Sequence, residues 1–171
     1  MSFLELAKSR YSVRSFRQDP IEEEKLAAIL EAGRVAPTAC NKQPQKIYVA
    51  QSREVRSALA GVCRFTFDAP TILVVAYDRR RDWNNRLMPP YHSGETDAAI
   101  VCTHMMLAAH DLGLGACWVG YFNAEEVRQA LGLPEHICVT AMLPMGYAAE
   151  DAAPMDLHSE FRAFEDTVTV L

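Results

Sequence analysis

Two arginines and a hydroxyl stand close together near the start of the chain, at Arg10, Ser12 and Arg14 within Arg10-Tyr11-Ser12-Val13-Arg14-Ser15-Phe16. Guanidinium groups form paired, charge-assisted hydrogen bonds that suit a phosphate. In an extended segment, residues two apart share a side, so all three groups would face one anion. The competing reading is a pair of surface arginines in weak ion pairs. The pattern alone does not separate the two.

A second chemistry-bearing stretch is Ala36-Pro37-Thr38-Ala39-Cys40-Asn41-Lys42-Gln43-Pro44. Small residues let a planar ligand approach the backbone, and the side-chain amides of Asn41 and Gln43 carry both donors and acceptors for a heterocycle edge. An ordinary helix-stop loop has the same composition. A third stretch is Gly113-Leu114-Gly115-Ala116-Cys117-Trp118-Val119-Gly120. Gly120 removes side-chain bulk after Trp118 and Val119, where exposed backbone N–H groups can stabilise charge developing on a bound ring. A helix cap followed by a strand with a core tryptophan is compatible with the same residues.

Other candidates point away from chemistry. His104 and His110 are not at the i, i+3 or i, i+4 spacing of a helical metal pair, so they read as core or interface histidines and no metal site is expected. Cys117 lies among apolar residues and reads as inert. No GxSxG, HExxH or phosphate-loop pattern occurs. Gly113-Leu114-Gly115 follows a helix and precedes a strand, the reverse of a dinucleotide-binding fingerprint.

The elements that must position these residues can be read from periodicity. Residues 2–9 form a short helix with Phe3, Leu6 and Ala7 on one stripe. Asp19-Pro20-Ile21-Glu22 starts the next helix, with Asp19 as cap and Glu22 completing a capping box, and Pro37 stops it. Strands are expected at 47–50, 71–77, 116–119 and 137–143, the second a continuous β-branched run of the kind buried on both faces. Helices are expected at 53–60, at 95–112 with Gly113 as its left-handed cap, and from Asn123 to Leu131. The helix at 95–112 is apolar on several sides and so belongs in a core or a dimer interface. Residues 78–94, charged and containing prolines, form a mobile excursion in which Arg79-Arg80-Arg81 is a solvated run. The tail from Ala148 is acidic and irregular. This order gives a mixed α+β sandwich rather than a regular βαβ repeat.

The 171 residues suit one domain, 1–171, with a sizeable core. A net charge of −5 argues against nucleic acid or an anionic membrane surface as partner. No signal pattern and no apolar run long enough to span a bilayer is present. Five widely spaced cysteines without a CxxC read as free buried thiols in a reducing cytoplasm.

Taken in order, Arg10–Phe16, Ala36–Pro44, Asp97-Ala98-Ala99, Leu107-Ala108-Ala109-His110, Gly113–Gly120 and Leu143-Pro144-Met145-Gly146-Tyr147 resemble the nitroreductase family of flavoproteins over roughly residues 2–150. The resemblance implies a three-layer α+β sandwich with a mixed, mainly antiparallel sheet flanked by helices, assembled as an intertwined homodimer. It implies FMN at the subunit interface, reduced by NADH or NADPH and reoxidised by a small-molecule acceptor such as a nitroaromatic or quinone. It assigns the phosphate and ribityl chain to Arg10, Ser12 and Arg14, with Tyr11 and Val13 in the same segment. It lays Pro37, Thr38 and Ala39, with Asn41 and Gln43, against the flavin from the other subunit. Trp118, Val119 and Gly120 border the ring.

This chain departs from many relatives in carrying Thr103-His104 where they have Gln-Asn. Its late basic residues are only His158 and Arg162, of which Arg162 is assigned to the phosphate. No catalytic side chain is implied, because the chemistry belongs to the cofactor. Family members that dehalogenate or cleave flavin, and a non-catalytic flavin carrier or sensor, are the alternatives.

Overall fold

The computed structural model describes residues 2–171. Its helices are α1 (Phe3–Ser9), α2 (Glu23–Arg34), α3 (Arg53–Val62), α4 (Gly94–Asp111), α5 (Ala124–Ala130) and α6 (Phe164–Thr167), and its strands are β1 (Gln45–Ala50), β2 (Thr71–Asp78), β3 (Gly115–Ala116) and β4 (Ile137–Gly146). The strands form one antiparallel sheet in the order β1-β2-β4-β3, so the two longest strands lie in the middle. A single parallel bridge, Ser12 to Ala116, extends it at the β3 edge.

Alternation along β2 and β4 makes the sandwich. Leu73, Val75, Ala141, Leu143 and Met145 point to one face and pack with Ile29 of α2 and with Ala98, Val101, Cys102 and Met105 of α4. Ile72, Val74, Ala76, Val139 and Met142 point to the other face and pack with Leu59 of α3 and Val127 of α5. Helices therefore cover both faces, as a strand pair apolar on both sides requires. Most of the apolar width of α4 is satisfied inside its own chain, between the sheet and α2.

Several expectations need correction. Asp19 does not cap α2; it accepts from Arg17 Nε at 2.6 Å, and the helix begins at Glu23 with no side-chain cap. Ile21 is drawn into the core, and the Glu22 carboxylate accepts from the Tyr147 hydroxyl at 2.6 Å instead of folding back on the helix start. The expected strand 116–119 is split: β3 ends at Ala116, and Val119 pairs again with Met142. Cys117 N–H donates to the Pro144 carbonyl, but Pro144 has no N–H to return the bond, so the ladder breaks there. The short helix expected at 2–9 is α1, with Leu6 and Ala7 half-buried and Phe3 72% exposed. Cys63, Cys102 and Cys117 are buried thiols as expected, but Cys40 is exposed and Cys138 half-buried.

Candidate functional site

The Arg10–Phe16 segment is held against β3. Val13 N–H donates to Ala116 O at 3.1 Å, and the Val13 side chain is buried. A Cβ at Gly115 would stand 2.5 Å from Val13 Cγ2, so only glycine admits the segment this close. With Val13 turned inward, its neighbours Ser12 and Arg14 turn outward. They line a cleft of about 350 Å3 together with Arg10 and Tyr11.

Among the described residues neither Arg10 nor Arg14 forms an ion pair. Arg14 Nη1 donates to the Ser12 carbonyl at 3.0 Å, which orients the guanidinium without neutralising it. The far wall of the cleft comes from the tail. Tyr11 meets the His158 ring edge-on at 6.3 Å between centroids, and Tyr11 Oη donates to Ala152 O at 3.4 Å. His158 and Phe161 line the cleft; Arg162, one residue on, is exposed and is not among the lining residues.

The third stretch abuts the same place. Burial pushes the Cys117 thiol up, while nearby Arg14, a hydrogen bond with Ser12 and the charge of Arg10 pull it down. The two arginines and the Gly115–Cys117 end of the segment therefore lie together within one chain, whereas Gly120 lines a different cleft with Cys63, Phe65 and Tyr121. Val119 is buried and exchanges backbone bonds with Met142 at 2.9 and 3.0 Å. Trp118 is 38% exposed, and a Cβ on Gly120 would lie 2.8 Å from Trp118 Cζ3. The folded-back indole by itself therefore disfavours a side chain at position 120.

The Pro37–Gln43 loop lies elsewhere in the chain and does not line the arginine cleft. Cys40, Asn41 and Gln43 all have left-handed backbones (φ 49°, 52° and 49°), an arrangement that persists only when it is pinned. The pins are Thr38 Oγ1, which accepts from Gln43 N at 3.0 Å, and Asp97 Oδ1, which accepts from Ala39 N at 2.9 Å. The amides expected to meet a heterocycle meet each other: Gln43 Nε2 donates to Asn41 Oδ1 at 3.0 Å.

The sequence model of the nitroreductase family matches residues 7–64 and 61–147. The chain belongs to the nitroreductase family. A Methanothermobacter thermautotrophicus protein named as an NADH dehydrogenase/NAD(P)H nitroreductase is 30% identical over 92% of this chain and 83% of its own length. A nitroreductase family structure from Clostridium difficile 630 superposes with a TM-score of 0.91 at 35% identity, covering 99% and 98% of the two chains. A Desulfovibrio desulfuricans structure, described as a nitroreductase in complex with FMN, has a TM-score of 0.84 at 27% identity, covering 98% and 95%.

Two buried side chains that hold the Pro37–Gln43 loop are not evident from the sequence. Asp97 is 2% exposed and Ser93 is 3% exposed, and together they tie the Pro37–Gln43 loop to the β2–α4 connection. Asp97 stands in the first turn of α4 beside Glu95, where acids are ordinary, so residue type alone does not mark it as a buried anchor. Of the two late basic residues, the fold brings His158 to the cleft lining.

Proposed function

We propose that this chain, acting as one domain over residues 1–171, is an FMN-dependent NAD(P)H oxidoreductase that reduces nitroaromatic, quinone or related small acceptors as a homodimer. The observation that carries the reading is the pair of guanidiniums without an acidic partner, Arg10 and Arg14, beside Ser12 in one cleft at the β3 edge of the sheet. Two such cations with a hydroxyl suit the dianionic phosphate of FMN, and the relative with FMN bound shares the whole fold.

When bound, FMN would supply the hydride chemistry of a ping-pong cycle between NADH or NADPH and an oxidised acceptor. The protein binds and orients. Arg10, Ser12 and Arg14 hold the phosphate, with Tyr11 and Val13 shaping the segment and Arg162 as a further cation from the tail. Trp118, Val119 and Gly120 border the ring. Pro37, Thr38, Ala39, Asn41 and Gln43 approach it from the partner subunit, which accounts for their distance from the arginine cleft of their own chain. No side chain is assigned as acid or base.

Exposed apolar residues at both ends support the homodimer. Phe3, Leu4, Phe161, Phe164 and Val170 are 62–93% exposed. Apolar surface of this kind is removed from water when a second copy covers it. A cytoplasmic setting accords with five free thiols. Among the described residues no helix is long and apolar enough to cross a membrane.

The test is a visible absorption spectrum of the purified protein after incubation with FMN and gel filtration, followed by NADH and NADPH oxidation with a nitroaromatic or a quinone. Retained flavin absorbance in a dimer-sized peak and acceptor-dependent turnover are expected. A colourless protein, or a flavin that NAD(P)H fails to bleach, would overturn the reading.

A further inference from the structure

A second cleft, of about 760 Å3, opens between the Cys40–Lys42 turn and residues 82–87 of the β2–α4 connection. Its cations are Lys42 and Arg86, both exposed, and among the described residues neither forms an ion pair. Its acid, Asp82, is turned inward, with a side chain 4% exposed and Oδ1 3.3 Å from His92 Nδ1. Trp83 is half-buried in the same lining. The accessible charge is therefore positive, and a flat aromatic surface lies beside it.

One buried carboxylate fixes both walls. Asp97 Oδ1 accepts from Ala39 N at 2.9 Å on the loop side. Its Oδ2 accepts from Ser93 Oγ at 2.7 Å, and Ser93 Oγ in turn accepts from Trp83 N at 3.1 Å. Ser93 N–H also donates to Trp83 O at 2.9 Å. The Trp83 and Ala39 ends of the cleft are thus held in place, which lowers the ordering cost of filling it.

We propose that this cleft holds an electron acceptor bearing a carboxylate, its aromatic ring against Trp83 and its anion facing Lys42 and Arg86. The inference rests on the oxidoreductase reading, because one wall is the loop assigned there to the flavin. A phosphate of the reductant is the other source of an anion, and the experiment separates it.

Benzoate and benzamide are titrated calorimetrically into the flavin-loaded protein. Benzoate binds more tightly, and Lys42→Gln/Arg86→Gln weakens it about fivefold, the scale of solvent-exposed charge pairs, while benzamide shifts less than about twofold. Raising salt from about 0.05 to about 0.5 M weakens benzoate selectively in the unaltered protein, which tests the idea even if the variant misfolds. The kcat/KM ratio of 4-nitrobenzoate to 4-nitrobenzamide falls in the variant by the same factor, and the ratio of NADH to NADPH KM values stays put. Equal binding of benzoate and benzamide, a preference that survives both the variant and salt, or an effect confined to NADPH overturns the proposal. A benzoate preference lost in the variant but without nitro reduction supports the cleft and overturns the oxidoreductase reading instead.

Discussion

The backbone N–H of Ala39 donates to Asp97 Oδ1 at 2.9 Å, across 58 positions of sequence, and this bond anchors a loop whose backbone is otherwise strained. Asp97→Ala leaves that N–H and the Ser93 hydroxyl without their buried acceptor. The expected loss is about 3 kcal/mol of unfolding free energy, the scale for removing a charged acceptor from two buried donors. Ser93→Ala takes the acceptor from Trp83 N–H and the donor from Asp97 Oδ2 but leaves the Ala39 bond in place, and should cost less, about 2 kcal/mol. Urea unfolding of the flavin-free proteins checks the order, since bound ligand adds its own stabilisation. A loss in Asp97→Ala no greater than in Ser93→Ala would show that the carboxylate does not pin the loop.

Arg10 and Arg14 give a prediction that separates phosphate recognition from general damage. Each arginine to glutamine change should weaken FMN binding about thirtyfold, as expected for loss of a charge-assisted contact. Riboflavin, which lacks the phosphate, should bind the variants as it binds the unaltered protein. Flavin fluorescence quenching measures both. Equal losses for the two ligands would mean that the arginines act through the fold.

Much of this arrangement was legible in the sequence because it is local. The β-branched run Thr71–Tyr77 announces a strand buried on both faces, and Asn123 caps α5 through the N–H groups of Glu125 and Glu126 as its residue type requires. Ser12 and Arg14 face outward because Val13 faces inward, which alternation alone dictates. The partners that come from far along the chain were not legible. Nothing near Glu22 reveals that Tyr147 will take its carboxylate from the helix start. The Asn41–Gln43 amide pair is local but equally hidden, because it depends on left-handed turns that carry no glycine to announce them. Tail residues are the extreme case, since His158 reaches Tyr11 only through the path of the whole fold.

Gly115 and Val13 form a steric pair whose disruption should be felt at the arginines. The new methyl of Gly115→Ala would meet a β-branched side chain at 2.5 Å, and valine has no flexible end to move aside. The Arg10–Phe16 segment must shift from β3, at a cost of about 1–3 kcal/mol by analogy with overpacked cores. FMN affinity should fall with it. Val13→Ala in the same chain removes the γ carbons at 2.5 and 2.9 Å, though its Cβ stays at 2.7 Å, and should restore a part of both losses. A double variant as weak as Gly115→Ala alone, in thermal unfolding and in FMN titration, would sink the steric account.

His110 sits in the last turn of α4, where its ring nitrogen Nε2 lies 2.8 Å from Ser9 Oγ. Burial lowers its pKa from the ordinary 6.5, and the nearby charge of Arg10 lowers it further, against a smaller opposing pull from Asp111. The unfolded chain therefore takes up this proton first as pH falls. Stability from His110 is fully present above the unfolded value, about 6.5, and is lost as pH drops through the lower folded value, where the slope follows the excess of protons on the unfolded state. The difference in thermal midpoint between the unaltered protein and His110→Gln should narrow or invert from about pH 7.5 to about pH 5.5. Arg10→Gln should shrink that pH dependence, because one of the two causes of the shift is gone. A midpoint difference constant across this range would show that the histidine is not held neutral by its surroundings.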